Sequence, residues 1–296
     1  ATHILDHLAI EQLDTVVGAS MGGMTALAFA LANPGRARRL LSISSASRSL
    51  PFSIALRSLQ REMIRKDPAW QKGQYLIPGD GPVTGMRLAR KLGMITYRSA
   101  AEWTERFGRE RTTDAPDPDN PFGIDFEVES YLENHANRFI GSFDANCYLY
   151  LSRAMDLFDA ADHGGSLEAS FALLDLKAAL IIGVETDFLF PISQQEELAL
   201  ALNEHIADVT FKRLSSIQGH DSFLVIWIAS ALPLQNFSSP PPSHIVLFGR
   251  PSRVRAPRSL QRQYIRQKRA ASALHLQSPG SATHGYQNCS PPKTEI

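Results

Sequence analysis

Hydrophobic positions along the chain change their spacing twice. An early and a late region alternate short apolar runs with helix-period segments, whereas the region between them has helix-period segments alone. The strand-like runs are residues 15–17, 39–44, 178–184 and 209–214. The helix-like segments are residues 5–13, 21–32, 52–65, 83–97, 126–140, 145–158 and 193–205, the last with Ser193 and Glu196 as a predicted capping box.

This order of elements predicts an α/β fold with a mostly parallel sheet, interrupted by a helical insertion. We expect four parts. Residues 1–48 form the first part of the core, 49–165 a helical lid insertion, and 166–228 the second part of the core. Residues 229–296 are rich in Pro, Ser and basic residues, a composition that favours a disordered tail.

The turn after the first strand reads Gly18-Ala19-Ser20-Met21-Gly22. A Gly-x-Ser-x-Gly pattern between a strand and a helix is typical of a nucleophile elbow in the α/β-hydrolase fold. Glycine is needed there because the strand and the helix approach too closely for a Cβ atom. The bare pattern is common by chance, but its place between a strand and a helix favours Ser20 as a nucleophile in a partial α/β-hydrolase fold.

A serine nucleophile needs a histidine base and an acid that orients the histidine, and in this fold they follow the serine in the order acid, then histidine. Asp187 follows the apolar strand at 178–184, and His220 lies in a Gly-His-Asp turn after the last strand. Glu185 is a competing acid, but it lies nearer the strand itself. We therefore predict Asp187 and His220 as the partners of Ser20.

The backbone N–H of Met21 is expected to supply half of an oxyanion hole, at the positive end of its helix. The second N–H normally comes from a loop after the third strand of the fold. Only 19 residues precede Ser20, so we expect that loop and the first strands to be missing from this chain.

Composition narrows the function classes. The chain has 30 basic and 30 acidic residues, but from Arg250 onward nine Lys and Arg residues face a single acid, Glu295. Few aromatic residues accompany this basic tail, so nucleic-acid binding is not favoured. No apolar run reaches the ~18 residues of a membrane span. Cys147, expected to be buried, and Cys289 have no zinc or redox spacing, and no metal or resident cofactor is predicted.

A triad of this kind transfers acyl groups to water or to another acceptor. An amino-acid acceptor would need a cation for its carboxylate and an anion for its ammonium group. Arg90 lies in an otherwise apolar helix and Asp221 adjoins His220, so they are candidates for the two roles. Taken by themselves, both residues are equally well explained as ordinary solvated charges.

Several longer segments resemble the homoserine O-acetyltransferase family of α/β-hydrolase-fold acyltransferases. They are residues 18–24, 90–99, 129–132, 143–156 and 219–224. The resemblance implies a triad of Ser20, Asp187 and His220, an acceptor site with Arg90 and Asp221, and a weaker binding role for Tyr97. Residues 51–64 look closer to the branch that acylates L-serine, which includes serine O-succinyltransferases. After Val225 the sequence resembles nothing in the family.

These features predict an acyltransferase of cysteine or methionine biosynthesis, with acetyl-CoA or succinyl-CoA as donor substrate and L-serine or L-homoserine as acceptor. We expect a homodimer through the lid and a cytoplasmic location, with a mitochondrial one as the alternative. Two other functions stay open. One is a carboxylesterase or thioesterase of the same fold, and the other is an inactive fragment that keeps only a dimerisation surface.

Overall fold

The computed structural model describes residues 2–76, 81–112, 119–224 and 245–248. Residue contacts divide the chain into one compact unit from Ala1 to Pro251 and a second from Ser252 to Ile296. None of the second unit is among the described residues, so most of the predicted tail, with its expected disorder, lies outside them.

The core of the first unit is a parallel sheet, as predicted. Its strands are β1 (Leu13–Ala19), β2 (Ala37–Ile43), β3 (Ala178–Val184), β4 (Asp208–Leu214) and β5 (Ile245–Phe248). The order across the sheet is β4-β3-β2-β1-β5, and each neighbouring pair is parallel. The carboxyl ends of all the strands therefore lie along one edge, where parallel sheets bind their ligands.

The helices separate into those that cover the sheet and those of the insertion. Described α-helices are α1 (Thr2–His7), α2 (Met21–Ala32), α3 (Pro51–Lys66), α4 (Val83–Thr96), α5 (Ala100–Phe107), α6 (Glu127–Phe139), α7 (Ala145–Leu157), α8 (Leu167–Phe171) and α9 (Ile192–Asn203). Short 3₁₀ helices occur at Pro68–Gly73, Ala160–His163 and Gly219–Asp221. Among the residues that the structure describes, no helix combines the length and apolar character needed to traverse a bilayer.

The largest apolar cluster lies between the sheet and helices α2 and α9. Leu27 and Leu31 of α2 and Leu198 and Leu202 of α9 are buried there. The cluster also includes inward residues of β1, β2 and β3, such as Leu40. Burying side chains of this size stabilises a fold by about 1.5–3 kcal/mol each, so this layer fixes the elbow helix against the strands.

The insertion has its own smaller cluster. Ile64 of α3, Met86 and Ala89 of α4 and Ala145 of α7 are buried together. Helix α4 contacts both α3 and α6. The expectation of a helical insertion between β2 and β3 is thus met by α3 to α7.

Five details differ from the sequence-based expectations. The helix predicted at 5–13 is α1, which ends at His7, and Leu13 already belongs to β1. Helix α9 begins at Ile192 after Pro191, so Ser193 is inside its first turn and the predicted capping box is wrong. Cys147 is exposed on α7 rather than buried. Helices α5 and α8 were not predicted, because they are too short for a clear apolar period. Strand β5 lies within the segment predicted to be disordered, and it pairs with the free side of β1.

The elbow is packed too tightly for any side chain at Gly18. A Cβ atom there would lie 2.0 Å from the carbonyl oxygen of Gly22, and one at Gly23 would lie 2.5 Å from the Ser45 Cβ. Backbone atoms cannot yield as a flexible side chain can, so β1 and α2 would have to separate.

We expect Gly18→Ala to destabilise the protein by about 3 kcal/mol, the upper part of the range for overpacking. Thr25→Ala, at an exposed position of the same helix, should stay within about 0.5 kcal/mol of the unchanged protein. Urea denaturation followed by circular dichroism measures both. Equal stability of the two variants would contradict this account of the elbow.

Candidate active site

Ser20 lies between the last residue of β1 and the first residue of α2. Its backbone has φ 54° and ψ −124°, a region that residues other than glycine rarely adopt. Such strain costs of order 1–3 kcal/mol and persists only where the surroundings enforce it. The close approach at Gly18 and a hydrogen bond from the Ser20 N–H to the Ile43 carbonyl at 2.9 Å enforce it here. The sharp turn presents the Ser20 hydroxyl at the carboxyl edge of the sheet.

His220 connects Ser20 to Asp187. Its Nε2 lies 2.7 Å from the Ser20 Oγ, and its Nδ1 lies 2.7 Å from the Asp187 Oδ2. The tautomer with hydrogen on Nδ1 satisfies both contacts, since Nδ1–H then donates to Asp187 and the serine hydroxyl donates to Nε2. Residues 200 positions apart in sequence are thereby joined in one hydrogen-bonded chain.

Asp187 is held by the backbone that follows it. Its Oδ1 accepts hydrogen bonds from the N–H groups of Leu189 at 3.0 Å and Phe190 at 2.9 Å. The carboxylate is fully buried. Glu185, the competing acid, is exposed at the surface. The structure thus places Asp187 rather than Glu185 against the histidine.

Thr186, which sequence reasoning missed, joins the acid loop to the histidine loop. Its hydroxyl donates to the Ser216 carbonyl at 2.6 Å and accepts from the N–H of Gly219 at 3.1 Å. Gly219 has φ 67°, which favours glycine at this position. The only sign in the sequence of this role for Thr186 is that it directly precedes Asp187.

The charge state of His220 is set by two opposing effects. Burial by itself lowers the pKa of His220, but the charge and hydrogen bond of Asp187 outweigh burial and leave this pKa above its usual value of 6.5. The ring is stacked on Phe190 at 5.3 Å between centroids and contacts Phe223 edge-on at 5.8 Å. These rings fix the orientation of the imidazole.

Met21, the predicted oxyanion donor, is the first residue of α2. The first N–H groups of a helix have no partner within the helix and lie at its positive end. The Met21 N–H therefore has the position in the chain that such a donor requires, next to the Ser20 hydroxyl.

The predicted acceptor residues come from two places. Arg90 and Tyr97 lie in and at the end of α4, and Asp221 follows His220. The Arg90 guanidinium carbon is 5.8 Å from the centre of the Tyr97 ring and 4.7 Å from that of Phe139. The Tyr97 ring is 6.0 Å from the His220 ring. The Nε atom of Arg90 is buried without a hydrogen-bond partner, which leaves a donor available to a ligand.

Burial raises the pKa of Asp221, although His220, Arg98 and Arg90 oppose that effect. Burial also raises the pKa of Tyr97, so its hydroxyl is neutral at pH 7. The site therefore contains a partly buried cation, a partly buried acid and a neutral phenol.

A second buried charge cluster was not predicted from the sequence. Nε of Arg57 lies 2.5 Å from Oδ1 of Asp156, and Nη1 of Arg61 lies 2.6 Å from its Oδ2. Arg57 also donates to the Ser49 hydroxyl at 2.6 Å. Its charge opposes the protonation of His220, so the cluster lies within electrostatic range of the histidine. Two guanidinium groups share one carboxylate here.

In the described part of the chain, no group of three or more His, Cys, Asp or Glu side chains is placed to hold a metal ion. A serine hydroxyl hydrogen-bonded to a neutral, oriented imidazole can attack a carbonyl carbon.

Residues 1–224 match the family model described as the alpha/beta hydrolase fold. The chain belongs to this family. The sheet order and the strained serine between β1 and α2 agree with that membership, and the prediction of the fold is confirmed.

Curated relatives of this α/β-hydrolase-fold protein include acyltransferases. The chain is 56% identical over 219 residues to the serine O-succinyltransferase of Litchfieldella anticariensis. The match covers 74% of this chain and 59% of that protein. It is 55% identical over 227 residues to the serine O-succinyltransferase of Stenotrophomonas maltophilia, covering 76% of this chain and 61% of that protein. The chain thus spans about three fifths of the length of these relatives, and the expected resemblance to acyltransferases is confirmed.

Solved structures with the same fold include both hydrolases and transferases. Esterase E22 is 27% identical with a TM-score of 0.70, over 80% of this chain and 64% of that one. The homoserine O-acetyltransferase of Staphylococcus aureus is 25% identical with a TM-score of 0.60, over 80% and 62%. The fold therefore agrees with either reaction class.

The raised pKa of His220 gives a pH prediction. Ser20 can be activated only when His220 is neutral, so labelling of Ser20 by a fluorophosphonate should decline as the pH falls through a midpoint above 6.5. In Asp187→Asn the buried imidazole loses its stabilising charge. The midpoint should then move to lower pH, and labelling at pH 8 should slow by about 10³-fold or more.

Mass spectrometry of labelled protein across pH 5–9 measures this, with Ser20→Ala as the control that takes up no label. A midpoint below 6.5 in the unchanged protein, or the same midpoint in Asp187→Asn, would contradict the assignment.

Proposed function

We propose that this protein transfers an acyl group from an acyl-CoA thioester to the hydroxyl of an amino acid, with Ser20 as nucleophile, His220 as base and Asp187 as orienting acid. The observation that carries the proposal is the continuous hydrogen-bonded chain from the Ser20 Oγ through His220 to Asp187, 2.7 Å at each step. The relatives named serine O-succinyltransferase support L-serine as acceptor and succinyl-CoA as donor.

In the first half-reaction the Ser20 Oγ bonds to the thioester carbonyl carbon while its proton passes to Nε2 of His220. The carbonyl oxygen becomes negative, and the Met21 N–H at the start of α2 stabilises that charge. The C–S bond then breaks, and the proton on His220 passes to the departing sulfur. CoA leaves as a thiol, and the acyl group remains as an ester on Ser20.

The second half-reaction repeats these steps with the acceptor. His220 removes the proton of the L-serine hydroxyl, whose oxygen attacks the ester carbonyl, and the proton then returns to the Ser20 Oγ as the O-acyl amino acid leaves. The Arg90 guanidinium binds the acceptor carboxylate, and the Asp221 carboxylate binds its ammonium group. The Tyr97 ring lies 5.8 Å from the Arg90 guanidinium carbon and 6.0 Å from the His220 ring, and it lines the acceptor site.

The buried cluster of Arg57, Arg61 and Asp156 supports a succinyl rather than an acetyl donor. Two guanidinium groups and one carboxylate leave a net positive charge that is mostly buried, since the Arg57, Arg61 and Asp156 side chains are 5%, 13% and 2% exposed. Burying excess charge is costly unless a ligand compensates it. The free carboxylate of a succinyl group carries the complementary charge, whereas an acetyl group carries none.

A hydrolase is the second candidate, and the likeness to esterase E22 favours it. The same Ser20 ester would then be attacked by water. The two candidates differ in whether an amino acid accelerates turnover, because a transferase site holds its acceptor more firmly than water.

We further propose a homodimer through the helical insertion, in the cytoplasm. Helix α7 supports the contact surface, since Tyr150 and Leu157, seven residues apart on one face, are 79% and 61% exposed. Apolar side chains grouped on one helix face are typical of protein–protein contacts.

The first test is the release of CoA from succinyl-CoA with and without L-serine, followed with a thiol reagent. We expect L-serine to raise the rate by at least about tenfold, because a bound hydroxyl replaces water at the acyl-serine. Ser20→Ala should abolish release in both conditions. Release that L-serine leaves unchanged would favour the hydrolase.

Substitution of Arg90 tests the acceptor site. Arg90→Gln removes the charge that pairs with the amino-acid carboxylate, so KM for L-serine should rise about 10- to 100-fold while KM for the acyl donor changes little. Arg87→Gln is the matched control, because Arg87 lies one turn earlier on α4 and pairs with Glu133. Equal effects of the two substitutions would exclude Arg90 from acceptor binding.

A further inference from the structure

The junction between α4 and α5, residues 97–99, packs directly on the loop that carries His220 and Asp221. The Asp221 N–H donates to the Tyr97 carbonyl at 3.0 Å, and the Ser99 hydroxyl donates to the Ile217 carbonyl. A Cβ atom on Gly219 would lie 2.7 Å from the Ser99 nitrogen. The insertion therefore fixes the backbone of the histidine loop, and any charge at the junction acts on Asp221 at short range.

Arg98 of this junction lies between two carboxylates. Its Nη1 donates a hydrogen bond to Oε1 of Glu102, while its Nη2 is 3.8 Å from Oδ2 of Asp221, beyond hydrogen-bond distance. The side chains of Arg98, Glu102 and Asp221 are 15%, 11% and 19% exposed. Among the described residues, Arg98 is thus the cation nearest to both acids, but it forms a hydrogen bond only with Glu102 and not with Asp221.

Glu102 departs from the usual role of its position. It is the third residue of α5, whose N-cap is Ser99, and the Ser99 hydroxyl accepts the Glu102 N–H at 3.1 Å. In a capping box the glutamate side chain would return the bond to the N–H of the N-cap residue. Here it binds Arg98 instead, and its Oε2 is buried without a hydrogen-bond partner. Burial of a carboxylate oxygen without a hydrogen-bond partner is costly, so the pairing with Arg98 is the contact that offsets this cost.

We infer that Glu102 holds Arg98 away from Asp221 and so keeps the Asp221 carboxylate available for the ammonium group of the acceptor. This inference rests on the proposed function. Without the charge of Glu102, the Arg98 guanidinium turns to Asp221, closes the 3.8 Å gap and neutralises the acid that the substrate needs. Arg98 and Glu102 are positioning residues, since they act through Asp221.

The test compares the unchanged protein with Glu102→Gln, Arg98→Met and the double variant, using CoA release at varied L-serine. Glu102→Gln should raise KM for L-serine about tenfold, equivalent to about 1.4 kcal/mol of binding. The kcat at saturating L-serine and KM for succinyl-CoA should stay within about twofold, because the triad and the donor site are untouched. Glu102→Asp should restore most of the affinity for L-serine.

The double variant carries the decisive result. If Glu102 acts only by restraining Arg98, adding Glu102→Gln to Arg98→Met raises KM for L-serine no further, so the two substitutions are strongly non-additive. Glu133→Gln is the control, because it breaks another ion pair of the insertion, with Arg87 and Lys91, away from Asp221. Thermal unfolding of each variant checks that the fold is intact.

Three distinct outcomes would refute either the proposed function or the positioning role of Glu102. No dependence on L-serine in the unchanged protein refutes the proposed function itself. Dependence on L-serine with an unchanged KM in Glu102→Gln refutes only the positioning role. An equal rise in KM from Glu102→Gln in both backgrounds also refutes it, since Glu102 would then act without Arg98.

Discussion

The hydrogen-bonded contact of His220 with both Ser20 and Asp187 is the interaction on which the rest of this structure depends. Each of the three residues follows the carboxyl end of a different strand, β1, β3 or β4, and parallel pairing brings those ends to one edge. A change in register or strand order would separate the side chains by several ångströms, whereas the contacts require 2.7 Å. The geometry of the site is thus a direct consequence of the sheet.

Core packing also maintains the strained backbone of Ser20. Ser20 keeps an unfavourable backbone conformation because Gly18 and Gly23 allow α2 to pack closely against the strands, and because buried leucines fix α2 on the sheet. Strain of this size would relax in an isolated turn. Packing far from the reacting atoms therefore determines where the hydroxyl lies.

Buried and partly buried charges near the carboxyl edge of the sheet form three groups. Asp187 stabilises the charge that His220 takes up, whereas Arg57 opposes it. Arg90 and Asp221 present opposite charges near the histidine, and Arg98 with Glu102 lies behind Asp221. The insertion supplies most of these groups, so it contributes charge and orientation as well as cover. An esterase of the same fold needs the pair of Asp187 and His220 but not the charges that would bind an amino acid.

The sequence by itself determined the features that depend on neighbouring residues. Apolar periods located four strands and most helices, the glycines around Ser20 identified the elbow, and chain order selected His220. Tertiary structure alone brought Asp187 into contact with His220, exposed Cys147, added β5 to the sheet and placed Arg98 between Glu102 and Asp221. Steric limits and periodicity act between residues close in the chain, so they can be read directly from it. Burial and ion pairing join residues far apart, and those contacts exist only once the sheet and the insertion have packed together.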